Sequence, residues 1–122
     1  LLELGDILPL FSSMAGITQD EALEYDELIH KNIGTLRARL KPGADAAENR
    51  VKLAMAAAAL CFYDYVLDQI VKDPQTSFQA GEISASRNLE QLLAVAKEYR
   101  DSFLLAAQDC MRYDGFIFES VG

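Results

Sequence analysis

Hydrophobic positions are densest between residues 45 and 72, and their spacing there is helical. Apolar side chains recur at 51, 54, 55, 58, 61, 62, 65, 66 and 70, which share one face of a 3.6-residue repeat. The opposite face is apolar too: Leu53, Ala56, Ala57, Leu60, Tyr63, Leu67 and Val71. A helix that is apolar all round belongs inside something. Its centre, residues 53–63 (LAMAAAALCFY), carries no charge and is shorter than the roughly 20 residues a bilayer requires. The pattern predicts a central helix on the order of 40 Å long at ~1.5 Å per residue, wrapped by the rest of the chain or by neighbouring subunits.

The flanking segments read as its cover. Residues 2–13 (LELGDILPLFSS) suggest a short first helix with one greasy side. Pro9, which breaks helix interiors but suits a first turn, implies that this helix either starts near it or bends there. Residues 18–40 predict one long helix. Thr18 and Glu21 have capping-box spacing, and Ala22, Tyr25, Leu28, Ile29, Ile33, Leu36 and Leu40 form its apolar stripe. Acidic residues load its first half and basic residues its second, in the sense the helix dipole favours, and Pro42-Gly43 stops it. Asp45 with Glu48 repeats the cap for the central helix. Residues 74–87 change texture and predict a loop, with Gly81 permitting a turn between Phe78 and Ile83. A last helix is expected over 88–112, capped by Asn88 with Gln91 or by Ser86. Its stripe is Leu89, Leu92, Leu93, Ala96, Tyr99, Phe103, Ala107 and Cys110. After the Asp114-Gly115 turn, residues 115–122 read as an extended arm whose natural partner is the 78–83 piece. The expected fold is all-α: about four helices around a central Ala-rich one, in a single domain over 1–122, with residues 1–17 as an N-terminal segment.

Composition adds modest constraints. The 122 residues hold 19 Asp and Glu against 11 Lys and Arg, a net charge of −8, which disfavours binding nucleic acid by broad phosphate neutralisation. Cys61 and Cys110 sit inside apolar helical patterns, as reduced cysteines acting as small hydrophobes do, so a reducing, cytoplasmic history is expected. No basic segment with a cleavage site is present, so no secretory signal is expected.

Candidate chemistry is sparse. The one histidine, His30, forms a Glu-x-x-His pair with Glu27, but di-iron bundles need two such pairs, and His30 lies on the polar side of its helix. Asp64 and Asp68 are four apart on the central helix and could share a proton or a cation. Alternatively they mark the face that helix turns to water. Arg37, Arg39, Lys41, Arg50 and Lys52 gather around the Pro42-Gly43 turn, suited to an acidic partner or to acidic neighbours within the chain. There is no Gly-rich phosphate loop and no nucleophile–base set around the lone histidine. No catalytic residue, metal or cofactor is expected, and the sequence points away from an enzyme.

Three stretches carry a resemblance: the Ala-rich helix ending in tyrosines, AMAAAALCFYDYVLDQI (residues 54–70), the loop SFQAGEISAS (residues 77–86), and the last helix running into Asp114-Gly115-Phe116-Ile117-Phe118. In this layout, over roughly residues 18–121, the chain resembles the small α-helical head–tail connector proteins of tailed phages and prophages. It departs from them in its long, proline-interrupted N-terminal segment. The resemblance implies a structural protein, found in the virion or the host bacterial cytoplasm. It implies a homo-oligomer that closes into a ring between portal and tail-completion proteins and lines a channel for DNA without sequence-specific binding and without a membrane. Closed rings use head-to-tail contacts. The residues expected at the subunit interface are Phe78, Gly81 and Ile83 of the loop and Phe116, Phe118 and Val121 of the arm. The competing expectation is a small helical interaction or regulatory domain, monomeric or dimeric. Deleting the residues after Asp114 is expected to abolish assembly while leaving the far-ultraviolet helical signal largely intact. Loss of the helices would show that the arm belongs to the core.

Overall fold

The alanine-rich stretch forms the axis of the fold. In the computed structural model, residues 2–43, 47–72 and 83–112 are described, with residues 83–88 described in backbone only. The fold is all-α. Among the described residues five helices occur: α1 (Leu4–Ala15), α2 (Gln19–Leu23), α3 (Asp26–Ala38), α4 (Arg50–Lys72) and α5 (Ile83–Ala106), with 3-10 turns at Ala47–Asn49 and Gln108–Cys110. α4 packs most extensively on α5 and α1, and then on α3.

The prediction that α4 is enclosed on all sides holds for its middle. Leu53, Ala54, Ala56, Ala57, Ala58, Ala59, Cys61, Phe62 and Val66 are buried, and these positions go right round the helix. Four consecutive small side chains let the neighbouring helices approach closely. Phe62, Leu53 and Val66 then supply large buried surfaces, each worth about 1.5–3 kcal/mol relative to exposure. Enclosure fails at the ends, where Val51 is 74% and Val71 76% exposed. By length and composition alone the segment Ala47–Lys72 could cross a membrane, a longer stretch than its uncharged centre suggested. In this fold Arg50, Lys52, Asp64, Asp68 and Lys72 of this segment make ion pairs.

α1 begins at Leu4, well before Pro9, and runs through it. The Asp6 carboxylate accepts the Glu3 amide at 3.0 Å, and Ser12 Oγ donates to the Pro9 carbonyl at 3.1 Å. Pro9 is exposed, while Ile7 and Phe11 are fully buried, so core contact offsets the missing amide. Gly16 ends the helix at φ 69°, where its lack of a Cβ removes the left-handed penalty, and the Ile17 amide closes back on Ser12 O at 3.0 Å.

The helix expected over 18–40 is two. The Thr18–Glu21 capping box forms as predicted, with Glu21 N to Thr18 Oγ1 at 3.0 Å and Thr18 N to Glu21 Oε1 at 2.9 Å. The chain then tightens, Glu24 N bonding Glu21 O and Tyr25 N bonding Ala22 O, before α3 begins. The break seats the Tyr25 ring edge-on to Phe11 and Tyr65, at centroid distances of 6.2 and 5.1 Å, where each such pair contributes about 0.5–1.5 kcal/mol.

The start of α5 corrects the sequence reading. The 74–87 loop was expected to reach past Ser86, yet the helix already runs from Ile83, so Ile83 is a helix residue and Asn88, Gln91 and Ser86 are not its terminus. No glycine or proline lies between Ile83 and Asn88, so nothing there stops propagation, and polar residues of weak helix propensity are carried along. The central helix's cap at Asp45 and the 115–122 arm lie outside the described residues. Just before that arm, residues 110–112 pair with residues 39–41 beyond the end of α3. Leu40 and Met111 form an isolated antiparallel bridge, with Lys41 N to Cys110 O at 2.8 Å and Arg112 N to Arg39 O at 2.7 Å.

Ala57 is fully buried among α4's neighbours, so Ala57→Leu is expected to overpack the core and cost about 1–3 kcal/mol. Urea unfolding checks this: the midpoint should fall with the m-value unchanged.

Candidate functional site

The sequence singled out Asp64 and Asp68, and the structure places both on one wall of an open groove between α3 and α4. The groove has a volume of about 460 Å³ and is lined by Tyr25, Leu28 and Lys31 on one side and by Asp64, Leu67, Asp68, Val71 and Lys72 on the other. The 3.6-residue repeat makes this wall: 64, 67, 68 and 71 follow one another along a single helical face.

The two carboxylates take different side-chain partners. Asp64 accepts from Lys31 Nζ and from Asn32 Nδ2, each at 3.1 Å. Asp68 pairs with Lys72 Nζ at 3.0 Å and stands 3.5 Å from the Tyr25 hydroxyl, which accepts from Gln69 Nε2 at 3.0 Å. The hydrogen bond to Asp68 holds the Lys72 ammonium above its ordinary value, and burial raises the Tyr65 phenol behind the groove. Each acid thus has its own cation partner. The groove is open along its length, unlike the enclosed clefts that bury most of a small ligand.

Asn32 escaped the sequence reading. It is buried, at i+3 from Ile29 on the apolar face of α3, and its amide also reaches Cys61 Sγ at 3.6 Å. A polar residue interrupting an apolar stripe is the signal that could have exposed it. Lys72 was readable as a partner of Asp68, four residues before it on the same helix; Lys31 reaches Asp64 from α3, 33 residues away, and leaves no such mark.

The remaining sequence candidates are scattered. His30 is exposed, with Nδ1 2.9 Å from the Asp26 carbonyl, and no group of three or more His, Cys, Asp or Glu suited to a metal occurs among the described residues. The basic cluster is spread over internal partners: Arg37 donates to Leu2 O at 3.0 Å, Arg50 grips Asp6 at 2.9 and 3.0 Å, and Lys52 binds Asp109 at 3.0 Å. These cations hold the Asp6 and Asp109 carboxyls below their usual range. Ile83 opens α5, with its side chain outside the described residues. Phe78, Gly81, Phe116, Phe118 and Val121 also lie outside them.

A second surface was not anticipated as a surface. Leu92, Val95 and Tyr99 were assigned to the core side of the last helix or left out, yet they are 36%, 38% and 39% exposed, and Leu105 is 53% exposed. Of the expected stripe, Ala96, Ala107 and Cys110 are buried and Leu93 and Phe103 pack against the core; Leu104 is buried as well, and Arg100 stacks 4.4 Å from the Tyr63 ring centroid. The chain matches no family model, no curated protein and no solved structure.

Burial pushes the Cys61 thiol up to about 12 and also raises Cys110. Both signs suppress the nucleophilic thiolate at neutral pH. The folded protein is therefore expected to leave both thiols unreacted with a disulfide reagent at pH 8, and to release both once urea unfolds it. Fast labelling of the native protein would contradict the closed core.

Proposed function

We propose that this chain is a structural assembly subunit of the phage head–tail connector kind, one copy of a closed ring between portal and tail. The observation that carries this reading is the apolar row on α5. Leu92, Val95 and Tyr99 stand at i, i+3 and i+7, so they share one stripe of the helix, and all three are partly open to solvent. Rings need a surface that meets a different surface on the next copy, and a helical row of large apolar side chains suits that role. The net charge of −8 suits a channel wall past which DNA slides without adhering. The Ala-rich helix, the 77–86 stretch and the aromatic tail support the same family on sequence grounds. The groove's paired charges favour binding over catalysis. Under this reading the chain is not an enzyme.

Native mass spectrometry over a range of concentrations tests it. A discrete species of many subunits is expected, and Leu92→Ser combined with Val95→Ser should dissociate it without loss of helical signal. A strict monomer or dimer at every concentration would overturn the ring and leave the small interaction domain as the reading.

A further inference from the structure

We propose that the groove between α3 and α4 is a docking site for a basic amphipathic helix of another protein, separate from the ring surface and independent of the ring reading. Its floor is apolar, formed by Leu28, Leu67 and Val71, with Val71 76% exposed. An open channel beside a helix, with large apolar side chains along it, receives anchors spaced i, i+3, i+4 and i+7 from a partner helix.

Charge decides what kind of helix. Within the groove, Asp64 and Asp68 are balanced by Lys31 and Lys72. Asp20, Glu21, Glu24, Asp26 and Glu27 are all exposed on α2, its C-cap and the first turn of α3, next in sequence to the groove residues Tyr25 and Leu28, and Glu24 acts electrostatically on Lys72. The chain entering the α3 side of the groove thus carries an excess of acidic residues. The two internal lysines are 61% and 63% exposed, and ion pairs that open to water are weakly held. A partner arginine can displace either lysine and bind Asp64 or Asp68 through two parallel hydrogen bonds. A basic segment suits this side of the groove better than an acidic one, and a second copy of this chain carries a net charge of −8. Basic residues flanking an apolar face answer both features at once.

The probe is a synthetic helix of about five turns, roughly 18 residues, with leucines at the anchor spacing and lysine or arginine elsewhere. The control peptide keeps the leucines and replaces every basic residue with glutamate. Binding is read by fluorescence anisotropy and mapped by backbone amide shifts on the intact chain. The basic peptide is expected to bind at least about tenfold more tightly than the acidic one, equivalent to about 1.4 kcal/mol, with shifts centred on α3 and the second half of α4. Leu67→Ala with Val71→Ala should weaken it about tenfold, and Glu24→Gln with Asp68→Asn about threefold or more, on the scale of single hot-spot and rim contacts. Leu92→Ser with Val95→Ser should leave it unchanged. All three sites are at least one-third exposed or lie at the rim, and circular dichroism confirms that each variant folds. Equal binding of the two peptides, no binding, or binding that follows the α5 variant in place of the groove variants would each overturn the proposal.

Discussion

Close packing around the alanines of α4 is the constraint on which everything else depends. A helix enclosed on several sides leaves each neighbour a fixed distance, and small side chains make that distance short. α1, α3 and α5 can therefore all meet α4, and Phe62, Leu53 and Val66 fill the spaces between them. The exposed features follow from the same geometry. Towards its C-terminal end the outer face of α4 becomes one wall of the groove, where Leu67 and Val71 are exposed opposite Leu28 of α3.

Polar groups act at the margins of this core. Among the described residues Ser12 and Asn32 are the buried polar side chains, and the Asn32 amide is satisfied by Asp64 and Cys61. A buried amide with partners fixes the register of α3 against α4 more tightly than leucines alone would. On the outside, Asp6–Arg50 and Asp109–Lys52 tie α1 and the 3-10 turn after α5 to the first turns of α4. Because both carboxyls are held low, their contribution is present above the ordinary carboxylate range near pH 4 and fades as acid protonates them. The Lys52 ammonium, held high by the same pair, keeps its contribution until strongly alkaline pH.

Much of this was legible in the chain. The all-α class, the central helix and the Thr18 cap follow from periodicity and local hydrogen-bond chemistry, which act over a few residues and leave direct marks in sequence. Three features were not legible, each for a physical reason. The break at Tyr25 arises from aromatic rings on three helices, and no local breaker announces it. The early start of α5 reverses a prediction made from capping residues, since Asn and Ser only favour a terminus and do not compel one. The exposed row of Leu92, Val95 and Tyr99 has the same spacing as a core stripe, and periodicity alone cannot say which side of a helix a neighbour covers. The acidic pair at 64 and 68 was found, but the lysines and tyrosine that complete the groove come partly from α3, far away in sequence.

The pairing at the end of α3 has a mechanical side. Arg37 holds the carbonyl of Leu2, and one residue further along the carbonyl of Ala38 is held by Arg112 at 2.6 Å. Two points 110 positions apart in the chain are thereby clamped to a single helical turn. A pull applied between them is shared by these hydrogen bonds, the Leu40–Met111 bridge and the Asp6–Arg50 and Asp109–Lys52 pairs on α4. Segments remote in sequence thus bear a load in common, and neither can be drawn away from α3 without straining the other's anchor.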